Sequence, residues 1–272
     1  MSAILQTTNL IAPNAYIAPC ARIGRNVEIG PNTIVEAGAV IGDNCVIGAN
    51  VVIHSGTVMG RGNRVSHGAV IGQVPQDLKY AGEATLLKIG DENQIREFVT
   101  ISRGTVQGGS LTRIGSRNLL MSYVHVGHDA QIGDGVIVAN SCAIAGHVVI
   151  EDGAVIGGLS GLHQFTRIGR QAMVGACSYV TNDVPPYVLA EGKPVRARGI
   201  NITGLRRSGM SAGDRLEIQR AFKVLYRSGL NRSQALERLL AGGEPGKELA
   251  HLIAFVQSAA RGVCRGSKEA AE

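Results

Sequence analysis

Four of the chain's seven histidines, His125, His128, His147 and His163, fall between residues 125 and 163, with Asp129 and Gln164 directly beside two of them. A histidine with a carboxylate at hand suits general-base work, because imidazole titrates near neutral pH and a hydrogen-bonded partner fixes which ring nitrogen carries the proton. The same residue types suit a second chemistry, since histidines brought together from neighbouring segments can hold zinc. A glycine next to such a pair, as Gly146 is to His147, leaves a backbone N–H open to a developing oxyanion. One histidine alone more often caps or packs. Four so close together point to a site, provided that the fold gathers them.

The elements that must gather them follow a period of six. Branched aliphatic residues recur at Ile11, Ile17, Ile23, Ile29, Val35, Ile41, Ile47 and Ile53, then, past Met59, at Val65 and Ile71. The phase returns at Ile89, Ile95 and Ile101, and again at Ile114, Leu120, Val126, Ile132, Val138, Ile144, Ile150, Ile156, Leu162, Ile168, Val174 and Val180. A hexad such as Ile29-Gly30-Pro31-Asn32-Thr33-Ile34 reads as a short strand and a corner, the Asn and Gly tolerating the backbone angles of a tight turn. Three such sides close one coil of about eighteen residues, and stacked coils pair parallel strands about 4.8 Å apart. Neither an amphipathic helix nor low-complexity sequence keeps this phase. Four Phe, six Tyr and no Trp suit a narrow prism interior. The expected fold is mainly β, a parallel β-helix.

Eighteen then serves as a ruler. It places His128, Gly146 and Gln164 on one ladder, Asp129, His147 and Phe165 on the next, and Gly127, Ala145 and His163 on the other side. Three imidazoles, a carboxylate and a carboxamide thus lie within roughly 10 Å, with His125 on the preceding corner. Two interruptions, residues 72–88 and 102–113, leave the hexad phase. The first carries Gln76-Asp77-Leu78-Lys79-Tyr80-Ala81-Gly82-Glu83; the second, Ser102 to Ser110, is Gly-rich but lacks the Lys-Ser/Thr ending of a phosphate loop and reads as a plain loop.

Residues 1–190 form the expected β-helical domain and 191–272 a helical one. Asp183-Val184-Pro185-Pro186 is expected to end the coils. Helices are expected after Ser211-Ala212-Gly213-Asp214, from Asn231 to Leu240, and from Lys247 to Arg261, capping the last strand edge. The net charge of +6 is concentrated there in Arg206, Arg207, Arg215, Arg220, Lys223, Arg227, Arg232 and Arg238, which suits a solvated helix face or an acidic partner. Five cysteines form no paired framework; Cys20, Cys45, Cys142 and Cys177 are expected as reduced packing residues. Met1 to Leu10 has no leader pattern and no window is long and apolar enough to span a bilayer, so a cytoplasmic protein without stable membrane insertion and without a nucleic-acid partner is expected.

Taken together, Gln76 to Glu83, Arg103-Gly104-Thr105-Val106-Gln107-Gly108-Gly109, Asn118-Leu119-Leu120-Met121, His125-Val126-Gly127-His128-Asp129, Ala145-Gly146-His147, His163-Gln164-Phe165 and Asp183 to Val188 resemble the UDP-N-acetylglucosamine 3-O-acyltransferase family over nearly the whole chain. The resemblance implies a left-handed β-helix, a homotrimer with active sites between subunits, and transfer of a 3-hydroxyacyl chain from acyl carrier protein to a UDP-sugar as lipid A synthesis begins, with no cofactor and no metal. It implies His128 as general base, Asp129 as its supporting carboxylate and Gly146 N–H as oxyanion donor. Gln76, Asp77, Lys79, His125, His147, His163, Gln164, Asn201 and Arg207 are implied to contact substrate. Ala176 stands where the family has Gly on the acyl-chain wall, with Gly158 eighteen residues before it and Met173 nearby, so a shorter acyl chain is expected. Ser102 replaces a His, and Thr203 and Ser208 replace charged residues of the cap. A 3-amino UDP-sugar acceptor and a zinc hydratase of the gamma carbonic anhydrase type are the alternatives.

Overall fold

The computed structural model describes residues 8–267; Met1 to Thr7, within the segment read above for a leader, lie outside the described residues. The hexads fold as expected into a left-handed parallel β-helix, its three faces being sheets of eleven, nine and eight strands among the described residues, parallel throughout except for the last strand of the first. Most strands are only two residues long, such as Val46–Ile47 and His125–Val126. In each the second residue points inward: Ile41, Ile47, Ile53, Ile101, Leu120 and Ile144 are almost wholly buried. Their side chains stack on the coil above and below, so the core is a continuous column of branched aliphatic residues.

Register follows the eighteen-residue ruler through His125↔Ala143, Ala143↔Gly161 and Gly161↔Tyr179. The corners need left-handed backbone, and Asn26, Asn32, Asn44 and Asn50 supply it near the N-terminal end. Phe98, Tyr123, Leu159 and Phe165 hold the same conformation, with φ of 57°, 63°, 59° and 64°. Bulky residues there bear strain that Asn or Gly would avoid.

The two interruptions stretch individual coils. Ladder partners stand 30 residues apart across the first, as in Asn63 and Asn93, and 25 apart across the second, as in Asn93 and Asn118. Strands run further into these segments than the hexad phase indicates. Val70–Gln73, Leu86–Ile89 and Leu111–Ile114 each have four residues: Leu86 to Ile89 pair with Leu111 to Ile114 at every position, and Val70–Gln73 pairs with Thr100–Ser102 through a register shift.

Coiling does not end at Asp183-Val184-Pro185-Pro186. Val184 bridges Ile168, and Val188–Glu191 pairs in parallel with Met173–Val174. The prolines sit between those bonds and cost no ladder donor. Arg196–Ile200 then turns back antiparallel on Val188–Glu191, so a strand, rather than a helix, covers that edge. Among the described residues four helices follow: α1 (Ile202–Arg207), α2 (Ala212–Arg227), α3 (Arg232–Leu240) and α4 (Lys247–Gln257). Ser211 caps α2 by accepting from Asp214 N, and Asn231 and Gln234 form a capping box on α3. The last helix stops at Gln257, short of Arg261. The first was not anticipated, since six residues containing Gly204 give no periodic stripe.

Cys45 and Cys142 are buried packing residues whose thiols donate to Gly60 O and Gly157 O, and burial pushes both thiols above their ordinary range. Cys20 and Cys177 are exposed, contrary to the packing role expected. They occupy corners rather than the inward rung, and hexad membership alone does not separate the two.

Candidate active site

Beside the middle coils lies a groove of about 500 Å³ lined by Gln76, Ser102, His125, Gly127, His128, Ala143, Gly146, Gly161, His163, Gln164 and Tyr179. Its floor is the outward face of the nine-stranded sheet, where Ala143 and Gly161 keep the surface low between His125 and Tyr179. His128 stands on the corner that follows, and Gly146 lies one coil further on. A Cβ on Gly146 would come within 2.8 Å of His128 Nε2, so glycine is what lets the imidazole lie over this rung. The Gly146 N–H donates to no acceptor among the described residues.

His128 Nδ1 lies 2.8 Å from Asp129 Oδ2, and the Asp129 side chain is 1% exposed against 16% for His128. That carboxylate is held from behind. Thr105 N–H donates to Oδ1 over 2.8 Å, Thr105 Oγ1 donates to Oδ2 over 2.6 Å, and the Asp129 amide donates to Thr112 Oγ1. A carboxylate with these donors is charged and acceptor-only, so His128 carries its proton on Nδ1 and presents the Nε2 lone pair to the groove. The Gly-rich bulge has a structural purpose here. Val106–Gly108 is one turn of 3₁₀-helix capped by Thr105, and a Cβ on Gly108 would lie 2.0 Å from the Asp129 carboxyl carbon.

His147 packs edge-on to His128, their ring centroids 5.1 Å apart, and stacks on Phe165 at 4.4 Å. Burial holds His147 below the ordinary imidazole value and the nearby His128 adds to this, against the opposing pull of Asp129 and Asp77. Burial, then His128, also lowers His125, whose Nδ1 lies 2.8 Å from Thr100 Oγ1. The flanking imidazoles are therefore disposed to be neutral, leaving the site's fixed charge on Asp129.

The ladder derived from spacing is present as expected. Gln76, His125, His128, Gly146, His163 and Gln164 meet in the groove, with Asp129 and His147 directly behind. Lys79 is exposed, its amide bonded to Asp77 Oδ1. Asn201 caps α1 and donates to Gln171 O, and Arg207 ends the same helix; neither lines the groove. Nor do Met173, which is paired with Val155 and Leu189, or Gly158 and Ala176, which lie on the corners preceding the groove's floor. Thr105 escaped sequence reasoning because it lies in the insertion, off the ruler, whereas Thr112, seventeen residues before Asp129 in regular register, was within the ruler's reach. Gly161 and Tyr179 could have been found by adding eighteens to His125. Ser102 is fully buried, and its Oγ has no hydrogen-bond partner among the described residues.

Stacked hexapeptide coils bearing an oriented histidine–carboxylate pair over a groove define a hexapeptide-repeat transferase, and residues 38–73 and 111–146 match the bacterial transferase hexapeptide family. Residues 183–264 match the model of UDP-N-acetylglucosamine O-acyltransferase domain 2. The acyl-(acyl-carrier-protein)--UDP-N-acetylglucosamine O-acyltransferase of Thiobacillus denitrificans is 49% identical over 94% of this chain and 99% of that protein. The protein of the same name from Synechocystis is 55% identical over 65% of this chain and 64% of that protein, so that match spans just under two thirds of the relative's length. A crystal structure of a UDP-N-acetylglucosamine acyltransferase from Bacteroides fragilis superposes with a TM-score of 0.92 at 45% identity, covering 94% of this chain and all of that one. The chain belongs to the UDP-N-acetylglucosamine O-acyltransferase family.

Proposed function

We propose that the protein transfers a (3R)-3-hydroxyacyl chain from acyl carrier protein to the 3-hydroxyl of UDP-N-acetylglucosamine, the first step of lipid A biosynthesis. The oriented His128–Asp129 pair at the groove carries this reading. Nε2 of His128 takes the sugar hydroxyl proton as the oxygen attacks the thioester carbonyl. The tetrahedral oxyanion is met by the Gly146 N–H, and its collapse breaks the C–S bond. The departing pantetheine sulfur takes the proton from the imidazolium, so His128 returns neutral and every atom is accounted for. Transfer is direct: Ser102 lines the groove, but its Oγ makes no hydrogen bond to a base that would activate it as a nucleophile.

A zinc site is the weaker reading. His128, Asp129 and His147 offer ligand atoms within 4.8 Å of one another, yet both Asp129 oxygens already accept hydrogen bonds, which suits an orienting carboxylate better than a metal ligand. Ester formation is favoured over transfer to a 3-amino sugar by the names of the similar proteins.

The working assembly is a homotrimer. Support comes from one corner ladder carrying the exposed Phe98, Tyr123 and Leu159 in strained left-handed backbone, the first two stacked at 5.1 Å. Exposed apolar side chains bearing such strain suit burial against another copy. A neighbouring copy would also bring the Met173, Gly158 and Ala176 edge and the Asn201 and Arg207 region to a groove that one chain leaves without them. The Ala176 methyl narrows the end of the acyl channel in this assembly, and each excluded methylene forfeits about 0.8 kcal/mol of burial. In a series of hydroxyacyl-acyl carrier protein thioesters, thiol release should depend on UDP-N-acetylglucosamine and peak at a shorter chain than in family members with Gly there. Release without the sugar would defeat the functional reading, and best reaction of the longest chain would defeat the role of Ala176.

A further inference from the structure

The loop between Gln73 and Leu86 bears Gln76, Asp77 and Lys79, yet it has no place in the hexad ladder. Its hold on the coils comes largely from one side chain. Arg103 follows the strand Thr100–Ser102, and its amide donates to Gln73 O over 3.0 Å at the root of the loop. The side chain then turns back under the loop. Nη1 donates to Ser55 O over 3.0 Å and to Ser55 Oγ over 3.2 Å, and Nη2 donates to Tyr80 Oη over 3.1 Å. The guanidinium carbon lies 5.9 Å from the Tyr80 ring centroid. Both anchors are themselves secured. Ser55 N–H donates to Glu36 Oε2, which belongs to the preceding coil, and Tyr80 Oη donates to Glu83 O. Tyr80 N–H donates to Asp77 O, so the turn that starts at Asp77 closes on the residue Arg103 holds. Although burial opposes it, the Ser55 N–H, His54 and Arg103 together hold the Glu36 carboxyl below its ordinary range, so an anion backs the clamp.

We propose that Arg103 is a positioning residue that clamps the 74–85 loop over the groove and so sets its sugar-binding face. Two residues further on, Thr105 grips Asp129, so one short segment holds the substrate loop with its first residue and the catalytic carboxylate with its third. Only a planar cation with several donors can serve Ser55 and Tyr80 together; a lysine ammonium keeps the charge and loses that fork. The proposal rests on the transfer reading for what the loop binds, but not for whether the loop is clamped.

The test pairs two measurements on the full chain. Trypsin cleavage after the exposed Lys79 reports loop mobility without any substrate. Steady-state kinetics with hydroxyacyl-acyl carrier protein and UDP-N-acetylglucosamine report binding. Arg103→Met should speed cleavage after Lys79 about tenfold and raise the UDP-sugar KM about tenfold, the scale of losing hydrogen bonds to a charged group, with kcat within about threefold and the acyl carrier protein KM unchanged. Arg103→Lys should recover part of both effects. Tyr80→Phe, which removes one hydroxyl and nothing else, should reproduce the loosening more weakly and keeps the test open if Arg103→Met does not fold. Unchanged cleavage in Arg103→Met and Tyr80→Phe would overturn the clamp. So would a looser loop with an unchanged UDP-sugar KM, or a fall in kcat alone. Should the wild-type protein transfer no acyl group, the proteolysis still decides whether Arg103 clamps the loop.

Discussion

His128→Ala should lower turnover by at least about two orders of magnitude, the usual worth of a positioned general base, and leave the melting temperature nearly unchanged. Turnover falls because no other group replaces it: His125 is tied to Thr100 and His147 lies behind, packed on Phe165. Stability is spared because His128 sits on a corner, outside the aliphatic column, and Asp129 keeps both hydrogen bonds from Thr105. Thiol release at saturating substrates and a thermal melt check the two halves. Near-normal turnover in a folded variant would remove His128 from the role of base.

Asp129→Asn should cost about a hundredfold or more in kcat with little change in either KM, through the wrong histidine tautomer. The hydrogen bonds decide which way the new amide points. The Thr105 N–H facing Oδ1 is a fixed donor, so the Asn oxygen must take that place. The amide nitrogen then faces His128 Nδ1 and the Thr105 hydroxyl, and the hydroxyl can rotate to accept. His128 accommodates an N–H donor only by giving up its Nδ1 proton, which moves to Nε2. The nitrogen facing the sugar then carries a proton and cannot accept one. Steady-state kinetics read the split; a loss smaller than tenfold would mean that Asp129 does not set the tautomer.

The ladder of candidate site residues was legible because a prism with a fixed coil turns sequence spacing into distance. His128, Gly146 and Gln164 could be placed together by counting eighteens, as could Asp129 with His147. The same arithmetic fails wherever a coil is stretched. Thr105 reaches Asp129 across 24 residues, and Arg103 reaches Ser55 across 48, neither of them a multiple of eighteen. The Gly-rich bulge looked like a plain loop because its purpose, seating Gly108 against a buried carboxylate, exists only in the folded chain. At the C-terminal end the caps of α2 and α3 were readable in Ser211 and Asn231, whose side chains bond within three residues. The hairpin Val188–Ile200 was not, since its pairing answers to the coil edge it covers rather than to a local pattern. Exposure of Cys20 and Cys177 belongs with these: a small residue suits either a corner or a core rung, and composition cannot choose between them.

The product itself gives the most direct test of the central claim. Incubated with 3-hydroxyacyl-acyl carrier protein and UDP-N-acetylglucosamine, the wild-type protein should yield one free carrier thiol per acylated sugar, with proton and carbon NMR placing the new ester on O3 of the glucosamine. Wild-type protein that is folded yet forms no acylated UDP-sugar, or that places the chain on another atom, would contradict the account.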